Sequence, residues 1–182
     1  AGGFSALRVA ARVLGEFLTW LVIGLMVTLT TVVVVAVVYR KLGHSLSWYD
    51  EIASVLLAWI TYYGAALAAL KRSHIGFDGV LLALPLKARA GAMIVAEILV
   101  IGFFAVLAWA GLEVLDVLEG ESLVSLTWVP VSVTQSVIPI GAVLFIVAEL
   151  MSLPDYWRDV MAGRSTEHQA LAHGATPEEE RA

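Results

Sequence analysis

Cysteine is absent from this sequence, and charged residues are scarce. The first absence excludes disulfide bonds, thiolate metal ligands and a cysteine nucleophile. Charged residues make up 15% of the chain, whereas a soluble domain contains about a quarter. Because 60% of the residues are hydrophobic, the composition indicates an integral membrane protein.

Motifs for catalysis are missing as well. The four histidines are scattered along the chain, and none has the helical spacing with an acid that zinc enzymes show in H-E-x-x-H. The sequence contains no P-loop, no dinucleotide-binding fingerprint and no nucleophile elbow. We therefore expect no enzymatic activity, no cofactor and no nucleic-acid partner.

Long apolar runs are what the chain does contain. A bilayer core about 30 Å thick is crossed by roughly 20 apolar helical residues, and four runs reach this length. We predict an all-α membrane protein whose transmembrane helices cover about 16–39, 51–70, 89–113 and 128–153. These spans form a membrane domain over residues 1–160, and residues 161–182 are expected to be a disordered polar tail.

Lysine and arginine predict the orientation of the spans. Basic residues precede the first span, lie between the second and third, and follow the fourth, whereas only Arg40 and Lys41 fall on the other side. The positive-inside rule then places both termini and the central loop in the cytoplasm.

The segment between the second and third spans is apolar but too short to cross a bilayer. Its apolar residues share one helix face at Phe77, Val80, Leu81 and Leu84. Because basic residues flank it, we predict a short amphipathic helix over about 74–85, the interfacial arm, lying against membrane phospholipids. An ordinary cytoplasmic loop is the alternative.

Two acids fall inside the predicted spans. At 1.5 Å per residue, Glu97 lies about 12 Å beyond Arg89 and Glu149 about 9 Å before Asp155. Since the third and fourth helices run in opposite directions, both acids are expected in the inner leaflet. We favour polar contacts with another helix or subunit for them, and proton or ion coupling is the alternative.

Proline and tryptophan give further predictions. Pro139 lies near the middle of the fourth span, close to Gly141, and is expected to kink the helix there. The tryptophans inside the apolar runs, Trp20, Trp59 and Trp109, are predicted to be packing residues.

Three motifs occur in order along the chain, "SWYDEIA", "LKRSHIGFDGVLLALP" and "IPIGAVLFIVAEL". They contain Trp48 and Glu51 at the entry to the second span, Arg72, His74, Ile75 and Asp78 after it, and Pro139 and Gly141 in the fourth span. From about Leu14 to Trp157, this order resembles the small membrane subunit of tripartite ATP-independent periplasmic (TRAP) transporters, the DctQ-like or SiaQ-like family.

The resemblance implies a function through partners. Members of this family associate with a large membrane subunit that binds substrate and sodium, and a periplasmic binding protein delivers the substrate. This chain would then be a scaffold for sodium-driven uptake of an organic acid, such as a C4-dicarboxylate or sialic acid, in the bacterial inner membrane. The expected partner contacts of the arm are Lys71, Arg72, His74, Ile75 and Asp78.

Two other functions remain open. A small four-helix multidrug exporter would exchange protons for cations at an acid well inside the first span, where this chain has only Glu16 at the edge. The second alternative is a structural subunit of an unrelated membrane complex, which differs from the favoured reading in the identity of its partner.

Overall fold

The computed structural model describes residues 2–71 and 85–162. The helices in these residues are α1 (Gly2–Lys41), α2 (Tyr49–Leu70), α3 (Leu86–Val117), α4 (Val131–Gln135) and α5 (Val137–Met161). Four candidate membrane spans are present, and the fourth, Val131–Arg158, joins α4 to α5. The prediction of an all-α protein with four transmembrane helices is confirmed.

The interfacial arm predicted over 74–85 lies outside the described residues, apart from Pro85. This proline has an extended backbone and directly precedes α3, where its fixed φ suits the start of a helix. The predicted tail also lies outside the described residues, except for 161 and 162.

The first helix is much longer than its predicted span. The 40 residues of α1 extend about 60 Å, twice the thickness of a bilayer core. The predicted span began at about residue 16. The helix nevertheless begins at Gly2, since no proline or glycine between Gly3 and Gly15 interrupts it.

The long helices form a row in the order α1, α2, α5, α3, with a smaller direct contact between α1 and α5. Helix α2 packs between α1 and α5, and α5 packs between α2 and α3. In the fourth span, 44% of the residues in its most apolar stretch are buried. The corresponding share is only 6% in α1 and in α3. Among the described helices, α5 is therefore the central one, and α1 and α3 are the edges of the row.

The core lies where α1, α2 and α5 meet. Its buried residues are Leu18, Ala66, Ala69, Phe145 and Ala148. Alanine at three of these five positions lets the helix backbones approach closely, as is common between membrane helices. The ring of Phe145 also stacks on that of Phe104 from α3, with centroids 3.7 Å apart, so α3 packs against the same core.

Two glycines bring α5 against its neighbours on both sides. A Cβ atom at Gly141 would lie 2.7 Å from Tyr62 Cβ on α2. A Cβ atom at Gly111, on α3, would lie 2.9 Å from Pro139 Cδ on α5. Neither distance leaves room for a methyl group, so both helix pairs depend on glycine at these positions.

The fourth span breaks at Ser136, between α4 and α5, and Pro139 lies in the first turn of α5. The proline was expected to kink the helix near its own position. Because a proline ring clashes with the carbonyl four residues earlier and offers it no N–H, the disturbance falls on Gln135, the last residue of α4.

Two of the three tryptophans that were predicted to pack are exposed instead. Trp20 and Trp109 are 73% and 63% exposed, so the prediction that they pack within this chain is wrong. Trp59 is half-buried and faces α4, where its Nε1–H donates to the Thr134 carbonyl at 3.0 Å. In a single row of helices, an apolar run has large faces that meet no other helix, and hydrophobicity alone does not identify them.

The two ends of the bundle differ in their polar contacts. At the basic end, Arg8 Nη2 near the start of α1 lies 3.2 Å from Asp155 Oδ1 near the end of α5. At the opposite end, which we name the loop end, the α1–α2 connection and the loop over 118–130 lie together. The helices therefore alternate in direction along the chain.

We predict that Gly141→Ala destabilises the protein, because the added methyl group overlaps Tyr62. Overpacking of this kind costs about 1–3 kcal/mol. The measurement is the thermal unfolding midpoint of the purified protein in detergent. Gly102→Ala is the matched control, since no atom lies within 4 Å of a Cβ at that position. An unfolding midpoint for Gly141→Ala equal to that of the control would contradict the prediction.

Candidate functional site

Glu51, predicted at the entry to the second span, holds the loop between α3 and α4. Its Oε1 accepts the N–H of Val124 at 2.9 Å, and its Oε2 accepts the N–H of Ser125 at 2.9 Å. The Ser125 hydroxyl also donates to the Ser47 carbonyl at 3.3 Å. Because hydrogen bonds to a carboxylate are stronger than neutral ones, Glu51 fixes this loop to the start of α2.

The loop over 118–130 has an ordered backbone of its own. The Leu123 N–H donates to the Val129 carbonyl, and the Val131 N–H donates to the Glu121 carbonyl, both at 3.0 Å. Gly120 supplies a positive φ of 92° before this narrow antiparallel turn. The anchored loop is therefore a defined surface at the loop end.

Trp48, the other residue predicted at this entry, caps α2. It occupies the N-cap position, and its carbonyl accepts the Ile52 N–H at 3.2 Å. The side chain is half-buried. Trp48 and Glu51 thus lie within the first turn of α2, but only Glu51 reaches the loop over 118–130.

Side chains supply donors to carbonyls beside the helix break at Ser136. The Ser136 hydroxyl donates to the Val133 carbonyl at 2.7 Å, and the Thr134 hydroxyl donates to the Val131 carbonyl at 2.8 Å. The Trp59 indole bonds to the Thr134 carbonyl, as described above. In a bilayer, unpaired backbone groups are costly, so these donors stabilise the irregular backbone.

The two membrane acids lie on adjacent helices, Glu97 on α3 and Glu149 on α5. Glu149 is 6% exposed, and Oε2 of Glu97 is enclosed by protein. Each takes part in interactions within the structure. One turn beyond Glu149, the Ser152 hydroxyl donates to the carbonyls of Ala69 at 3.2 Å and Glu149 at 3.0 Å, which joins α5 to the end of α2.

Of the five residues predicted as partner contacts of the arm, the structure describes only Lys71. Lys71 is exposed and caps α2, with its N–H bonded to the Leu67 carbonyl at 3.0 Å. The other four, Arg72, His74, Ile75 and Asp78, lie outside the described residues. Over residues 2–71 and 85–162, no three histidine or acidic side chains are placed to hold a metal ion.

Sequence reasoning singled out Glu51 and Gly141 but not their partners. The amides that Glu51 binds lie 73 and 74 residues further along the chain. They are backbone groups, so no residue type marks them. Gly111 was missed for a different reason, because Gly24 and Gly102 also lie in apolar runs and a Cβ atom at either would meet no other atom within 4 Å.

These features define a polytopic membrane subunit, with four candidate spans and a loop fixed at one end. Residues 29–159, more than half of the chain, match the family described as tripartite ATP-independent periplasmic transporters, DctQ component. The chain belongs to this family, and it is a small membrane component of a TRAP transporter that acts in solute uptake. Among curated proteins, none matches the chain.

We predict that Glu51→Ala loosens the loop over 118–130, because the amides of Val124 and Ser125 lose a charged acceptor. Hydrogen bonds to a charged group are stronger than neutral ones, so amide exchange there should accelerate roughly tenfold or more. Hydrogen–deuterium exchange of the loop peptides is the measurement. Asp50→Ala, which removes the neighbouring acid, is the control. Unchanged exchange in the Glu51 variant would show that the loop does not depend on this carboxylate.

Proposed function

We propose that this chain is the scaffold of the large, substrate-transporting membrane subunit in a sodium-driven uptake system. The substrate is an organic acid, such as a C4-dicarboxylate or sialic acid, and a periplasmic binding protein delivers it. The observation that carries this proposal is the single row of helices. A row offers two broad faces and two free edges to another subunit.

Exposed apolar side chains on the two edges support a scaffold. Phe17 and Val27 on α1 are more than half exposed, and so are Ile98, Phe103 and Trp109 on α3. Exposed apolar faces of membrane helices lie against lipid or against another membrane subunit. The edge helices are therefore the natural places for the large subunit to dock.

The membrane acids fit a structural role better than a transport role. Glu149 is buried on the central helix, and neither Glu97 nor Glu149 lacks an interaction partner. The two grooves that run along α1, of about 340 and 440 Å³, are open to the surface. We assign substrate and sodium binding to the other components, and we infer that this chain is not an enzyme.

The proposed setting is the bacterial inner membrane, with the basic end of the bundle in the cytoplasm. Arg8, Lys71, Arg89 and Arg158 all lie at this end, as the positive-inside rule requires. The loop held by Glu51 then faces the periplasm, on the side from which a binding protein approaches. In this proposal, the interfacial arm over 74–85 and the polar tail over 161–182 lie on the cytoplasmic side.

We expect the chain to purify from native membranes together with a large membrane subunit in equal amounts. The measurement is affinity purification in mild detergent, followed by mass spectrometry of the copurified proteins. An unrelated tagged four-helix membrane protein from the same cells is the control. Recovery of this chain only as a homodimer would contradict the scaffold proposal and favour the multidrug exporter.

We also expect Glu97→Gln and Glu149→Gln to leave the sodium dependence of uptake unchanged, because sodium binds the large subunit in this proposal. The measurement is uptake by the reconstituted transporter at varied sodium concentration. Glutamine keeps the shape of the side chain and removes its charge, so subunit assembly serves as a control in the same preparations. A changed sodium stoichiometry in an assembled variant would instead place ion coupling at that carboxylate.

A further inference from the structure

A groove of about 340 Å³ lies between the start of α1 and the end of α2. Its lining includes Gly15, Leu70 and Trp20, and the charged residues Arg12, Glu16 and Lys71. From Arg12 to Trp20 the groove follows α1 for about 12 Å, or a little more than two helical turns. Because α1 is an edge of the helix row, one side of the groove meets no other helix among the described residues.

The walls of this groove are largely apolar. At its base, Gly15 and Leu70 pack together, and a Cβ atom at Gly15 would lie 3.3 Å from Leu70 Cδ2. Trp20 forms a wall and is 73% exposed. Tryptophan is enriched where hydrocarbon meets headgroups, because its ring is both apolar and able to donate a hydrogen bond. The apolar lining of the groove is therefore suited to contact with a lipid acyl chain.

The cations of this groove are available, unlike their neighbours at the basic end. Arg8 and Arg158 both lie near Asp155, at 3.2 and 3.9 Å. Arg12 and Lys71 form no ion pair with any residue that the structure describes. With Glu16 beside them, the three ionisable groups carry a net charge of +1. An anionic group is therefore the complementary ligand.

We propose that this groove is a binding site for one anionic phospholipid. Arg12 and Lys71 bind the phosphate, and an acyl chain lies against Trp20 and Leu70. The inference rests on the two cations and the apolar walls together, since a soluble anion would contact only the cations. It does not depend on the scaffold proposal, because the site lies within this chain alone.

The test is native mass spectrometry of the purified full chain in detergent, with phosphatidylglycerol as the probe. Phosphatidylcholine and phosphatidylethanolamine with the same acyl chains are the comparison lipids. We expect one phosphatidylglycerol to bind in preference to either. The double variant Arg12→Gln/Lys71→Gln should bind it roughly thirtyfold more weakly, because two cations near the headgroup are removed.

The matched control is Arg40→Gln/Lys41→Gln, which removes the same charge at the other end of α1. It should bind phosphatidylglycerol as the natural sequence does. Glu16→Gln should strengthen binding, because Glu16 is the only acid among the described residues that line the groove. This gain is informative even where the double variant does not fold, since it should appear for phosphatidylglycerol and not for the two zwitterionic lipids.

Three results would overturn the proposal. Equal binding of the three lipids would show that the site does not recognise an anionic headgroup. Equal losses in the groove variant and the control would show a general charge effect. Displacement of the lipid by inorganic phosphate alone would show that the acyl chain contributes nothing, and the ligand would then be a soluble anion.

Discussion

Close approach of α5 to α2 and α3 is the constraint on which the rest of the structure depends. Inside a bilayer, helices gain little from burying apolar surface, so contact between backbones has to come from shape. Gly141 of α5 lies directly against Tyr62 of α2, and Gly111 of α3 lies directly against Pro139 of α5. Helix α5 therefore holds its two neighbours on opposite sides.

The same arrangement explains why polar contacts gather at the two ends and at the helix break. The Glu51 carboxylate binds two loop amides at the loop end, and the Arg8–Asp155 pair joins α1 to α5 at the basic end. Between them, Trp59 supports the irregular backbone at Ser136 through the Thr134 carbonyl. These bonds help to fix the position of each helix along its neighbours, which apolar packing alone defines less well.

The helix number and type could be read from the sequence, because a 20-residue apolar run has one favoured structure in lipid. The order of the helices could not, since their apolar faces look alike whether they meet lipid or protein. Trp20 and Trp109 show this most clearly, because they were expected to pack and are exposed. Glu51 and Gly141 were identified by motif, whereas their contacts with backbone amides and with Tyr62 required the fold.

The length of α1 also limits how this chain can sit in a bilayer. Its candidate span, Leu7–Lys41, has 35 residues and is therefore about 52 Å long. To fit entirely within a core of about 30 Å, the helix would have to tilt by roughly 55°, beyond the range of about 0–40° found for membrane helices. Part of α1 must therefore extend beyond the hydrocarbon core, at least into the headgroup region. The Arg8–Asp155 pair ties one end of the helix to α5. A protrusion at that end is a two-helix ridge, and a soluble domain that covers it has to fit around a step in the membrane surface.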